Sequence, residues 1–390
     1  MQRVLLLAIG MFALGFDAYV VAGLLPDIGA TFKINASQAG QAVSVFTFCY
    51  ALAAPVFATL LAGKPMRRIL LLALAVFSVG NGMSALASSF SMLLVARAIA
   101  GVGAGLFSPL AAAAAASLVS EQKRGRALGM TLGGMSTGTV VGVPLGLIVA
   151  EHLGWEGTLW SITALGLLAL VGIVIWFPNF PASAPPSLRQ RVAMMTNGRV
   201  SATVGITLLT SISSLGLYTY IASVLYHLAD IDYTTPFLWA WGIGGMIGSF
   251  SIGTLIDRTG RPSLLMAGIL AIMAFSMFIL PLGLPFPVLA YLPFVIWGAM
   301  GWASQAPQQH VLLRLQPDHG AAAVALNSSA NYLGSAIGSA LGGIAMLAGL
   351  APSRLPFAAG CVAMVAFLAQ LVVMSREKIK ENQGKIKMES

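Results

Sequence analysis

Apolar residues in this chain run in long blocks separated by short polar turns. Windows of roughly 19 residues place hydrophobic runs near 4–26, 40–62, 69–89, 91–119, 127–150, 158–177, 201–226, 236–256, 263–282, 286–308, 321–349 and 353–374. At about 1.5 Å per residue, some 20 residues of helix cross the roughly 30 Å hydrocarbon core. The pattern therefore predicts twelve membrane-spanning helices and an all-α membrane protein. The runs from 91 and from 321 are long enough to tilt or to extend past the membrane.

The longest polar interval between runs is Phe177 to Arg199. Its Pro178, Pro181, Pro185 and Pro186 resist helix, so it reads as a linker. Around it the chain divides into a first six-span half over 1–177, a linker over 178–200, a second half over 201–374 and a tail over 375–390, expected to be disordered or to lie on the anionic leaflet. The halves repeat: the basic turn at Pro65 is answered by Gly260, 195 residues on, and Gly142 by Gly338, 196 residues on. Internal repeats with binding at their interface near the midplane are a recurrent transporter architecture.

Composition agrees with this picture, since 58% of residues are hydrophobic and 8% charged, against about 25% charged in soluble domains. The first run is too long for a signal h-region and is expected to be retained as a span. A net charge of +9 in a soluble protein would suggest nucleic acid, but here it sorts by loop. With the N-terminus in the cytoplasm, 18 of the 21 Lys and Arg fall on one side, only Lys33 and Arg354 fall opposite, and Arg97 lies inside a span. That asymmetry places both termini in the cytoplasm.

One acid interrupts the first run. Asp17 lies near its mid-depth, where a lone charge is costly and an ionisable side chain marks a functional site by default. Arg97, in the fourth run, lies about seven residues, roughly 10 Å, from the opposite surface, close to the depth of Asp17. The two can pair. Alternatively, Arg97 snorkels to the headgroups or bonds backbone carbonyls.

Other polar and small residues fall into groups. Gly134, Gly138, Gly142 and Gly146 recur at every fourth position of span five, a side-chain-free stripe for close helix approach, and Pro144 within it predicts a local bend. Tyr218 and Tyr220 lie in span seven, Gln305, Gln308 and Gln309 near the end of span ten, and Asn327 and Asn331 one turn apart in span eleven. Facing a cavity, these phenols and amides would hydrogen-bond a polar neutral ligand; between helices they would act as glue worth about 0.6 kcal/mol per contact. For Trp239, Trp241, Trp297 and Trp302, packing or lipid-interface roles are expected ahead of ligand stacking, which stays the alternative. Cys49 and Cys361 read as small buried hydrophobes without metal-ligand spacing. The four histidines fall at span ends or in loops, none in H-E-x-x-H, and no nucleophile–base grouping is visible, so no enzyme, metal or cofactor is expected.

The turn between spans eight and nine reads Gly253-Thr-Leu-Ile-Asp257-Arg258-Thr-Gly260-Arg261. It resembles the G-x-L-x-D-R-x-G-R loop signature of the major facilitator superfamily, in which the acid pairs with neighbouring helix ends and latches one conformation. The matching first-half turn, Gly63-Lys64-Pro65-Met66-Arg67-Arg68, keeps the basic residues but lacks the acid. Arg97-x-x-x-Gly101-x-Gly103 is similar to the superfamily's R-x-x-x-G-x-G pattern, and Gly138-x-x-x-Gly142-x-Pro144 to its antiporter signature, found mainly in exporters. Asn327-x-x-x-Asn331-Tyr332-x-Gly334 resembles span eleven of sugar, nucleoside and drug efflux proteins in the twelve-span drug:proton antiporter family. Gly154-Trp155-Glu156 departs from a common G-W-R pattern at its third residue.

The resemblance implies two pseudo-symmetric six-helix bundles that rock about a central site, with the glycine faces of spans five and eleven sliding at their interface. It implies proton coupling at Asp17 and Arg97, the proton being the coupling ion with no other cofactor. Substrate contacts are expected from Tyr218, Tyr220, Gln305, Asn327 and Asn331, and conformational roles from the span-five stripe and the 253–261 turn. The expected protein is a monomeric exporter of small organic molecules in a bacterial inner membrane, with lipids and substrate as partners and no nucleic acid. An importer or facilitator would use the same fold without proton exchange at Asp17, and a transport-inactive membrane sensor is the alternative of another class.

Overall fold

The computed structural model describes residues 2–61, 64–180, 188–284, 286 and 289–389; Gly63 of the first-half turn and Pro181, Pro185 and Pro186 of the linker lie outside them. The described residues form helices and turns without a strand. In hydrocarbon every backbone N–H and C=O has to be satisfied within the protein, and a helix does this locally.

The first half comprises α1 (Gln2–Phe32), a short α2 (Ala36–Ala39), α3 (Gln41–Leu61), α4 (Met66–Ala85), α5 (Phe90–Ser117), α6 (Arg124–Thr137) and α7 (Val143–Trp176). Between α6 and α7 the chain passes through a wide π turn, Gly138–Gly142. Pro144 has no N–H to offer the carbonyl four residues earlier, so the turn expands just where the sequence predicts a bend. Spans five and six are separated inside α7 at Gly154, whose φ of 72° only glycine adopts readily.

A seven-residue helix, α8 (Leu188–Met194), precedes the second half. It lies in the interval read as a linker, past Pro186, where no proline remains to prevent a turn, and Met194 packs with Val200, Val204 and Leu312. The second half comprises α9 (Gly198–Thr219), α10 (Ile221–Ala229), α11 (Thr235–Thr259), α12 (Pro262–Gly283), α13 (Leu292–Ala303), α14 (Gln305–Leu315), α15 (Gly320–Leu347) and α16 (Leu355–Glu389). Span seven is broken at Tyr220 into α9 and α10, and span ten at Ser304 into α13 and α14. Span ten starts later and ends later than its hydropathy indicates, because α14 is polar yet continues the same path. Of the two alternatives for the tail, disorder is corrected: α16 runs on to Glu389, its Lys and Glu favouring helix over the single Gly384.

The twelve spans form two six-helix bundles. Close approaches inside each bundle use glycine. A methyl group on Gly138 would overlap the Phe12 carbonyl of α1, and one on Gly338 would overlap the Ile212 carbonyl of α9. The stripes of spans five and eleven are thus filled by helices of their own bundles, which corrects the expectation that they slide against the opposite one. Between bundles, span five instead brings Val140 against Gly242 of α11. Cys49 is half-buried and Cys361 exposed on the perimeter, so neither is the buried hydrophobe expected.

At one end the bundles are joined. Ser37 donates to the Gly343 carbonyl at 2.7 Å and Ser339 to the Gly40 carbonyl at 3.1 Å across the bundles, while Tyr220 donates to the Ser339 carbonyl at 2.7 Å within the second bundle. Replacing Ser37 by Ala removes one of the links across the bundles, worth about 1 kcal/mol. It is expected to raise, roughly fivefold, the alkylation rate of a cysteine placed at Ala22 in a cysteine-free background. Ala22 lines the small pocket beneath this closure; an unchanged rate would show that the bond does not hold the end shut.

Candidate functional site

Two features stand out where the bundles meet: a buried ionic cluster in the first bundle and an adjoining cavity. Asp17, Asn81 and Arg97 come from α1, α4 and α5, and all are at most 1% exposed. Arg97 Nη1 donates to Asp17 Oδ1 at 2.6 Å and to Asn81 Oδ1 at 3.3 Å, while Asn81 Nδ2 donates to Asp17 Oδ2 at 3.0 Å. The guanidinium carbon lies 4.2 Å from the centre of the Phe46 ring, a cation–π contact. Arg97 Nε has no partner among the described residues. Of the two fates open to Arg97 in the sequence, the fold selects pairing with Asp17. Asn81 and Phe46 were not singled out in the sequence; an amide between Gly80 and Gly82 in an apolar run was the available signal for Asn81.

The cavity has a volume of about 780 Å³ and lies between the bundles. Its wall runs from Tyr19, Trp241 and Tyr332 at mid-depth to Ala116, Leu128, Ile252 and Val324, near the ends of helices that lead into the basic turns. It therefore faces the side opposite the hydrogen-bonded closure. Among the described residues that line it there is no Asp, Glu, Lys, Arg or His. Its polar groups are hydroxyls and amides, notably Ser211, Gln305, Gln309 and Asn331. Asn331 Oδ1 accepts from Ser211 Oγ at 2.6 Å and from Gln305 Nε2 at 2.9 Å, so the second bundle presents a fixed amide cluster.

Aromatic rings floor the cavity and cross between bundles. Tyr50 of α3 stacks on Tyr332 of α15 with centroids 3.7 Å apart, and Tyr19 of α1 meets Tyr218, Trp241 and Trp302 at 5.6, 5.7 and 6.1 Å. Trp241 and Trp302 line the cavity, where the stacking alternative applies to them; Trp297 is fully buried and donates to Ser214 at 2.8 Å.

The expected substrate residues separate accordingly. Gln305 and Asn331 line the cavity. Tyr218 lies behind its floor, in the wall of the small pocket beneath the closure. Tyr220 belongs to the closure, where the break between α9 and α10 carries it away from the cavity. Asn327 is fully buried outside the cavity wall, its amide without a partner among the described residues. Tyr19, Tyr50 and Tyr332 are cavity residues that sequence reasoning missed, although Tyr332 directly follows Asn331.

Gly134, like Gly138, packs on α1, with the Ala8 carbonyl in the way of any side chain; Gly142 and Gly146 face the Phe16 ring, and Pro144 is buried. In the 253–261 turn, Gly260 caps α11 with a φ of 63°. Gly253 has open space beside it, and Arg258 and Arg261 are exposed. Asp257 is exposed and makes no ion pair among the described residues, so the latch expected of it is not engaged with the cavity mouth open. In the first-half turn, Arg67 donates to the Val174 carbonyl and Met66 N–H to the Phe180 carbonyl, which fastens the turn to the end of the first bundle.

A family model described as Major Facilitator Superfamily matches residues 7–339. The inner membrane transport protein YdhP of Escherichia coli K12 is 30% identical over 379 residues, 97% of this chain and 96% of that protein. A chloramphenicol resistance protein of Streptomyces lividans is 30% identical over 269 residues, 67% of this chain and 69% of that protein. The crystal structure of a D-xylose-proton symporter superposes with a TM-score of 0.78 over 95% of this chain and 96% of its own, at 18% identity.

Proposed function

The chain belongs to the major facilitator superfamily, transporters of small solutes, and on that footing we propose that it exports uncharged, amphiphilic organic molecules in exchange for protons. The carrying observation is the pairing of a charge-free cavity with a dry acid–base cluster beside it. A cavity walled by rings, hydroxyls and amides suits a neutral solute that stacks and hydrogen-bonds, and offers a permanent ion nothing to pair with. The relative named for chloramphenicol resistance supports efflux of an antibiotic-like compound.

The positive-inside asymmetry turns the cavity mouth to the cytoplasm, where the exporter loads its cargo. Asp17 takes one proton from the outer aqueous phase, which neutralises its pairing with Arg97, and returns that proton to the inner phase after the bundles rock. Substrate leaves as the proton enters. Gln305, Asn331 and Ser211 orient the solute, and Tyr19, Tyr50, Trp241, Trp302 and Tyr332 stack on it.

The test is proton flux in proteoliposomes carrying an imposed pH gradient, challenged with neutral aromatic antibiotics, nucleosides, sugars and a quaternary ammonium amphiphile. A neutral compound is expected to dissipate the gradient with the native protein and not with Asp17→Asn, while the quaternary cation has no effect. Equal accumulation of solute in the Asn variant without proton movement would replace this reading with a facilitator.

A further inference from the structure

Asn81 owes its position to a glycine. α4 lies so near α5 that a methyl group on Gly80 would overlap the Ala100 backbone nitrogen. That approach puts the next side chain within reach of both Asp17 and Arg97. Its amide is fully used: Nδ2 donates to Asp17 Oδ2 at 3.0 Å and to the Phe77 carbonyl at 3.1 Å, and Oδ1 accepts from Arg97 at 3.3 Å. Among the described residues of the elements packed on α1, Arg97 is the one other charged side chain at this depth. Asp27, Glu151 and Glu156 lie toward the closed end, Arg3 lies at the opposite end, and the Tyr19 and Tyr50 phenols lie at the cavity floor.

We propose that Asn81 partners the acid in both of its charge states and, by turning its amide, converts protonation of Asp17 into release of Arg97. The inference rests on proton exchange at Asp17. A carboxylate only accepts hydrogen bonds and a guanidinium only donates them. When Asp17 takes a proton it gains an O–H that needs an acceptor, and Arg97 has none. Of the two side chains bonded to Asp17, only Asn81 carries one, Oδ1, which points to Arg97 while the acid is ionised. A half-turn of the amide brings Oδ1 to the new O–H and swings Nδ2 toward Arg97, where donor meets donor. Arg97 thereby loses the Asn81 oxygen and the negative charge it was paired with, and keeps only the neutral carbonyl oxygen of Asp17 and the Phe46 ring. One O–H bond forms on Asp17, from a proton of one aqueous phase. It breaks again when that proton leaves to the other phase and the amide turns back. Asn81 is a positioning residue, since it acts through Asp17.

Infrared difference spectra between acid and alkaline pH test this on the full chain in lipid, without a substrate. The carbonyl stretch of protonated Asp17 is the band that Asp17→Asn removes. In Asn81→Leu, close in volume but unable to hydrogen-bond, this band is expected to move to higher frequency. The acid-to-alkaline ratio of alkylation rates at a cysteine replacing Ala22 is expected to fall about tenfold, as a buried O–H left without a partner implies. A second measurement needs no variant at Asn81: isotope labelling of asparagine in the native protein is expected to reveal an amide band that changes with pH and is silent in Asp17→Asn. An unmoved carboxyl band in Asn81→Leu, or a pH-silent amide in the native protein, overturns the switch while leaving proton exchange standing. Absence of any band removed by Asp17→Asn overturns both.

Discussion

Replacing Arg97 by methionine is expected to cost about 3–5 kcal/mol of stability at neutral pH, the usual penalty for removing one partner of a buried ion pair. Asp17 is fully buried, and its strongest donor, at 2.6 Å, would be gone. Asn81 alone would remain to it, a neutral amide facing a full negative charge. Asp17→Asn is expected to cost less, because the Arg97 guanidinium keeps the Asn81 oxygen and the Phe46 ring. The double variant, Asp17→Asn with Arg97→Met, is expected to recover most of the stability and none of the proton coupling. Thermal unfolding in a fixed lipid or detergent reads this as a fall of at least about 5 °C for Arg97→Met, largely reversed in the double variant. If the two changes simply add, the pair does not hold the bundle together as the geometry indicates, and the cluster's role would have to be sought in its hydrogen bonds to Asn81 instead.

The second large effect concerns packing. Gly138→Ala is expected to lower the initial transport rate at least tenfold and to destabilise the first bundle, because the added methyl meets the Phe12 carbonyl, which belongs to helix backbone and cannot swing away. To make room, α1 and α6 would have to separate along a crossing that Gly15 and Gly134 also keep tight. Helix association in lipid depends on such close contact, and overpacking typically costs about 1–3 kcal/mol even where side chains give way. Two comparisons set the scale. Gly142→Ala meets the Phe16 side chain at 3.0 Å and is expected to have a smaller effect, since a ring can tilt. Gly133→Ala meets nothing within 4 Å and is expected to behave as the native protein. Equal losses at positions 133 and 138 would show that helix propensity or lipid contact, rather than the α1–α6 approach, governs the stripe. The measurements are initial rates of solute exchange with the amount of folded protein quantified in parallel.

Hydrogen bonding and close packing also explain which site residues were legible in the sequence. Asp17 and Arg97 stood out because a charge in a hydrocarbon-spanning run is rare for energetic reasons, and both residues do meet in the fold. Gln305 and Asn331 could be flagged as amides in apolar runs, yet so could Asn327, and only the rotation of α15 about its axis puts Asn331 in the cavity wall and Asn327 among buried helices. Tyr220 illustrates the same limit. Two residues from Tyr218 in sequence, it lies past a helix break that carries its hydroxyl to the closure. Aromatic residues such as Tyr19 and Trp241 are common both in packing and in ligand contact, so nothing in their spacing separates the two roles.

The sequence by itself determined the twelve spans, their division into halves and the presence of a charged pair at matching depth. Each follows from the cost of placing backbone or charge in a medium without water, which acts residue by residue along the chain. Only the tertiary structure decided that Asn81 completes the ionic cluster, that the glycine stripes serve their own bundles and that the cavity carries no charge. These are relations between residues from different helices, such as Gly138 of span five on Phe12 of α1 or Tyr50 on Tyr332 across the bundles, and they depend on helix rotation and depth to within about one turn, roughly 5 Å. Hydropathy cannot supply that precision, because lipid and the interior of the protein are nearly equally apolar and leave no pattern of faces to read.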